Sequence, residues 1–143
     1  MWTRKILVAY DGSAPSRRAL ELAAQIAAAD PSVKLVMAHV MRLFSSGAAA
    51  AGIETVVMDD AAAVRAEMEA VAEMLPNPAE VRLLRGTSPA DLIVSCALEE
   101  GCDLIVMGSR GQGGVKGFLG SVSYAVTKES PMTVLIAKEG DCR

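Results

Sequence analysis

Aromatic side chains are scarce in this chain. They make up 3% of its 143 residues: one Trp, two Tyr and two Phe. So few rings leave no platform on which successive bases of a single-stranded nucleic acid would stack. An excess of positive charge is missing as well. Asp and Glu number 17 against 14 Lys and Arg, a formal net charge of −3, so the basic footprint of a nucleic-acid-binding domain is absent. Cys96, Cys102 and Cys142 contain no C-x-x-C and are odd in number, which argues against a zinc site or a disulfide frame. They read as reduced thiols in a reducing compartment. No charged leader precedes an apolar stretch at the N-terminus, and no apolar run is long enough to span a bilayer. The expectation is a cytoplasmic protein with neither a nucleic acid nor a membrane as partner.

Two nucleotide motifs are missing too. G-x-x-x-x-G-K-[ST] does not occur, which excludes a P-loop, and the first strand leads into Asp11-Gly12-Ser13 rather than G-x-G-x-x-G. His39, the only histidine, has no second His, no Cys partner and no serine-hydrolase frame, so it reads as a structural residue at a strand end. With no general base, metal cluster or nucleophile frame in view, any turnover is expected to be slow.

What the chain does have is aliphatic: 52% of it is hydrophobic, chiefly Ala, Val and Leu. At this length a folded chain buries roughly two thirds of its unfolded surface, and residues 1–143 are expected to form one domain. Lys5 to Tyr10 predicts a strand. Ser13 caps a helix with Pro15 in its first turn and Ala19, Leu20, Ala23 and Ala27 on one face. Val33 to Met41 predicts a second strand. Arg42 to Thr55, with Gly47 and Gly52 flanking alanines, reads as a mobile connection. A helix runs from Asp59 or Asp60 to about Leu75, with Ala61, Val64, Met68 and Val71 recurring at three and four, and Pro76-Asn77-Pro78 stops it. Val81 to Arg85 predicts the third strand. Ser88-Pro89-Ala90-Asp91 opens the next helix with a capping serine. Leu104 to Met107 is a buried strand, Ser121 to Glu129 a helix with Ser121 at its cap, and Met132 to Ala137 the fifth strand. Alternating strands and helices predict a doubly wound, Rossmann-like α/β fold. We expect a five-stranded, mainly parallel sheet of order 3-2-1-4-5 with helices on both faces.

Ligands of such sheets bind beyond the carboxyl ends of the strands, where strand order reverses. That crevice would bring Asp11 and Gly108 together. Glycines at 108, 111, 113, 114, 117 and 120 let the backbone approach a ligand closely, and the following helix start favours anions. Asp11 suits an adenine amino group or a ribose hydroxyl. Backbone near Val40 would meet a base edge. Gly108, Gly111, Gly120 and Ser121 would donate to phosphate oxygens, with Arg110 or Lys116 adding charge.

Over nearly its whole length the chain resembles the universal stress protein family. The resemblance is carried by Ile6-Leu7-Val8-Ala9-Tyr10-Asp11-Gly12-Ser13, Ala38-His39-Val40, Gly86-Thr87-Ser88-Pro89, Asp103 to Gly111, and Gly120-Ser121-Val122-Ser123. Its nucleotide-binding branch carries G-x2-G-x9-G-[ST] and binds ATP. The resemblance implies an adenine contact at Asp11, flanked by Ala9, Tyr10 and Ser13, and a base contact through the Val40 backbone. It implies phosphate contacts at Gly108, Gly111, Gly120 and Ser121, with Met107, Ser109, Arg110, Val122 and Ser123 as neighbours. The ligand would be ATP, ADP or AMP, with or without Mg, and the protein a regulatory stress-response module. It also implies a homodimer through Met132 to Ala137. The spacing departs from the motif: residues 112–119, eight rather than nine, separate Gly111 from Gly120. Either the additional glycines absorb the missing residue or Gly120 and Ser121 are displaced. Two rival functions follow: a slow ATPase or autokinase using Ser121 or Ser123, and a dimeric partner-binding protein that has lost its nucleotide.

Overall fold

The computed structural model describes the backbone of residues 1–42, 50–110 and 119–138. The elements are β1 (Lys5–Ala9), α1 (Ala14–Ala28), β2 (Lys34–Arg42), α2 (Ala50–Glu73), β3 (Ala79–Gly86), α3 (Pro89–Glu99), β4 (Leu104–Gly108), α4 (Ser121–Glu129) and β5 (Thr133–Ala137). All the pairings are parallel, and the five strands lie in the order β3-β2-β1-β4-β5, as expected from the sequence. Leu7 in the central strand is in register with Val36 on one side and Ile105 on the other.

The strand period of two sorts the core into two layers. Ile6, Val8, Leu35, Met37, Leu104 and Val106 pack with Ala19, Leu20 and Ala23 of α1 and Met68 of α2. Leu7, Val36, Ala38, Ile105 and Met107 pack with Ile93, Cys96 and Ala97 of α3 and Val126 of α4. A strand enclosed on both faces needs apolar residues throughout, which is why β4 is buried at every position.

Several boundaries differ from the sequence reading. α2 already runs at Ala50, so Ala50 to Thr55 is helix rather than connection, while residues 43–49 lie outside the described residues. Alanine is the best helix former, and a single Gly52 costs only about 1 kcal/mol. From Ala61 onward Ala61 and Met68 are buried and Val64 and Val71 lie against the core, and this packing stabilises the helix. β2 and β3 are displaced or extended by a residue or two, and β5 begins at Thr133. Buried Asn77, between its two prolines, donates to the carbonyls of Asp30 and Val33, both at 2.9 Å, and so ties the turn after α2 to the one after α1.

At the amino-terminal edge of the sheet, the Asp103 carboxylate accepts from the hydroxyl of buried Thr3 and, at 2.9 Å, from the Arg4 N–H. Nearby, Glu100 bridges Arg82 at 3.1 Å and Lys5 at 3.4 Å. The Arg82 hydrogen bond is the main reason the Glu100 carboxyl lies below its ordinary range.

Candidate functional site

A cavity of about 530 Å³ opens at the carboxyl ends of β1 and β4, where the strand order reverses. β1 contributes Ala9, and Tyr10 and Asp11 follow it. The Asp11–Gly12–Ser13 turn is self-braced. Asp11 Oδ1 accepts from the Ser13 N–H at 2.9 Å, Gly12 takes a φ of +81°, and the Arg17 guanidinium donates to the Gly12 carbonyl. Asp11 N–H in turn donates to Ser16 Oγ at 3.3 Å. Asp11 therefore has two parts: one oxygen shapes the turn, and the residue walls the cavity.

Ser13 is a true cap, accepting from the Ser16 N–H at 3.3 Å. That turns it toward α1, and it is not among the cavity residues. Ser109 is also drawn away. Its N–H donates to Ala137 O at 2.8 Å, and its carbonyl accepts from the Gly120 N–H at 2.7 Å. Val40, Met107, Gly108, Arg110, Gly120, Ser121, Val122 and Ser123 all line the cavity, whereas Gly111 and Lys116 lie outside the described residues. Gly120 is thus not displaced from the crevice by the shortened loop.

Two of these residues have roles that differ from the sequence reading. A Cβ on Gly108 would lie 2.6 Å from Pro15 Cβ and 2.8 Å from the Pro15 carbonyl carbon, so this glycine is required by the close packing of β4 on α1. Ser121 is not the cap of α4. Gly120 holds that position, in extended conformation and with no side-chain cap hydrogen bond, and Ser121 is the first helical residue. The first intrahelical bond runs from the Tyr124 N–H to Gly120 O at 2.9 Å. Geometry therefore leaves the amides of Ser121, Val122 and Ser123 without intrahelical acceptors at the positive end of the helix, beside the cavity. Ser123 Oγ is buried and donates to Gly108 O at 2.8 Å, which fixes α4 to the end of β4.

Sequence reasoning missed Ser16, Ala38, His39, Pro89 and Ile93 as cavity residues. Pro89 and Ile93 bring in α3, whose Ser88 occupies the cap position but makes no side-chain cap hydrogen bond, contrary to the capping pattern in the sequence. No local signal marks these residues as a wall, because α3 reaches the cavity only through the packing of its face on the sheet. His39 Nδ1 lies 2.9 Å from the Tyr10 carbonyl oxygen, which makes it the structural residue expected.

The comparisons with known proteins agree with this architecture. The model of the universal stress protein family matches residues 3–138. A universal stress protein of Thermus aquaticus is 36% identical over 139 residues, covering 94% of this chain and 98% of that one. A universal stress protein solved in complex with cAMP is 31% identical, with a TM-score of 0.62 over 94% of this chain and 96% of that chain. An Arabidopsis thaliana universal stress protein family protein solved with AMP bound is 19% identical, with a TM-score of 0.70 over 96% and 92% of the two chains, a likeness of fold alone. Matched across its whole sheet by the family model and by a relative with over a third of its residues identical, the chain belongs to the universal stress protein family.

Proposed function

We propose that this protein binds an adenine nucleotide, ATP foremost, in the cavity between β1 and β4, and serves as a ligand-responsive regulatory module in the stress response. The observation that carries this is the start of α4. A glycine cap without a side-chain acceptor leaves helix amides directed at a cavity large enough for a nucleotide, and such a terminus attracts phosphate. Asp11 and the backbone of Val40, on the opposite wall, supply an acceptor and an amide for the base and ribose. Mg would enter with the phosphates. The relative solved with cAMP lends support to an adenine ligand.

Titration calorimetry with ATP tests the assignment. Wild-type protein should give a saturable heat that Asp11→Ala abolishes or weakens. Ser121→Pro removes one first-turn amide at a position where proline suits a helix. It should weaken ATP by about tenfold or more and leave adenosine unaffected, since hydrogen bonds to charged groups contribute about 1.5–3 kcal/mol. No heat with wild type, or equal heats with and without the Asp11 substitution, would sink the assigned site.

Slow hydrolysis or autophosphorylation is a weaker reading, because the Ser123 hydroxyl is already engaged with Gly108. Assembly is a second element of the proposal. β5 is a sheet edge carrying half-buried Val134, Leu135 and Ile136, and edges of this kind are normally paired. A homodimer through this strand should appear by light scattering, and a monomer at high concentration would exclude it. The buried, free Cys96 and Cys102 suit a reducing cytoplasm.

A further inference from the structure

The ladder between β1 and β2 stops one rung early, at His39. Main-chain groups along β2 alternate in direction. Lys34 N–H donates to Arg4 O on the β1 side at 3.0 Å, and Leu35 N–H to Pro78 O on the β3 side at 2.9 Å. Even-numbered residues of β2 therefore direct their N–H and C=O groups toward β1. Ala38 keeps this pattern, accepting from the Tyr10 N–H at 2.8 Å. The next rung would run from the Val40 N–H to the Tyr10 carbonyl. Among the described residues that bond is missing, and the Tyr10 oxygen instead meets His39 Nδ1 at 2.9 Å. A carbonyl only accepts, so Nδ1 carries the proton there, in the neutral ring and the imidazolium alike. Val40, its amide left over from the ladder, is a wall residue of the cavity.

We propose that His39 is a positioning residue: by occupying the Tyr10 carbonyl it keeps the Val40 N–H unpaired and offers it to a hydrogen-bond acceptor of the ligand, such as a purine ring nitrogen. The identity of that ligand rests on the nucleotide reading above, whereas the geometry does not. A side chain from β2 takes the place of a main-chain group from the same strand. The two strands can then part beyond Ala38 without stranding the Tyr10 oxygen. The released donor is fixed by β2, whose other edge stays paired with β3 through Arg42. An amide held in place this way needs little reorganisation when an acceptor arrives.

Amide hydrogen exchange by NMR tests this in the full-length protein. Without ligand, the Val40 amide should exchange quickly in wild type and in His39→Asn, whose side-chain NH2 preserves a donor near the Nδ1 position. In His39→Val, a good strand residue without a donor, the amide should close onto the Tyr10 carbonyl and exchange roughly tenfold more slowly. Adding ATP should slow the Val40 amide in wild type and His39→Asn. A Val40 amide already protected in ligand-free wild type overturns the proposal and requires no variant to fold. Equal exchange in wild type and a folded His39→Val overturns it too. If His39→Val slows the amide but ATP leaves wild type unchanged, the nucleotide reading fails while the His39 geometry stands.

Discussion

Gly108→Ala is the most discriminating test of how the cavity is framed. The added methyl would lie 2.6 Å from Pro15 Cβ, 2.8 Å from its carbonyl carbon and 3.0 Å from its carbonyl oxygen. None of these atoms belongs to the end of a flexible side chain, so relief requires the first turn of α1 or the last residue of β4 to move. Overpacking of a well-packed site costs about 1–3 kcal/mol, and with no soft neighbour we expect the upper end, about 3 kcal/mol. For a domain near this size each kcal/mol lowers Tm by about 2–4 °C, giving a fall of roughly 6–12 °C. Gly101→Ala is the internal control. Nothing lies within 4 Å of its added Cβ, and only its φ of +73° opposes substitution, at about 1–2 kcal/mol. Differential scanning calorimetry, with urea unfolding to confirm an unchanged m, measures both. A Gly108→Ala protein as stable as wild type, or more stable than Gly101→Ala, would refute the reasoning. Because Pro15 adjoins Ser16 and Gly108 adjoins Met107, the same displacement should also weaken nucleotide binding.

Other predictions concern the frame around the site. Burial pushes the Asp103 carboxyl up, but hydrogen bonds from the Thr3 hydroxyl and the Arg4 and Lys5 amides outweigh it and hold the group below its ordinary range. Its contribution is therefore present above the unfolded value of about 3.9 and lost as pH falls through the folded value. The urea midpoint should fall more steeply on acidification below about pH 4 in wild type than in Asp103→Asn. Burial, the largest influence on both thiols, pushes Cys102 up to about 12 and raises Cys96. Iodoacetamide at pH 8 should leave both unmodified in the native protein and label them after denaturation, as read by mass spectrometry. Ser13→Ala should cost about 1 kcal/mol through its lost cap, whereas Ser88→Ala, without a cap bond to lose, should leave Tm nearly unchanged.

Much of the fold was readable because its signals are local. The apolar run Leu104 to Met107 announces a strand covered on both faces, and it is buried throughout. Ser13 and Pro15 mark a helix start, and the cap forms. The parts that could not be read depend on contacts between distant segments. Gly108 looks like a loop glycine suited to a ligand, yet its bareness answers to Pro15, far away in the sequence. Ser121 resembles a cap, but the backbone is already helical there, one residue earlier than a Ser121 cap would require. The start of α2 was hidden because glycine punctuation outweighed alanine propensity locally, while the burial of Ala61 and Met68 depends on segments distant in the sequence. His39 belongs to a segment that marks the family resemblance, but only the meeting of two strand ends reveals its partner.

The central place of β1, between β2 and β4, also bears on biosynthesis. As the chain leaves the ribosome, the first three strands and their helices can assemble in spatial order, but one side of β1 stays open until residues beyond Gly108 emerge. Until then that open side is a template for unwanted pairing with other nascent chains. Any occupant of the crevice must also wait for this late closure. Once seated it would hold the early-made and late-made halves together, and a product truncated before Leu104 would lack the β4 and α4 part of the wall.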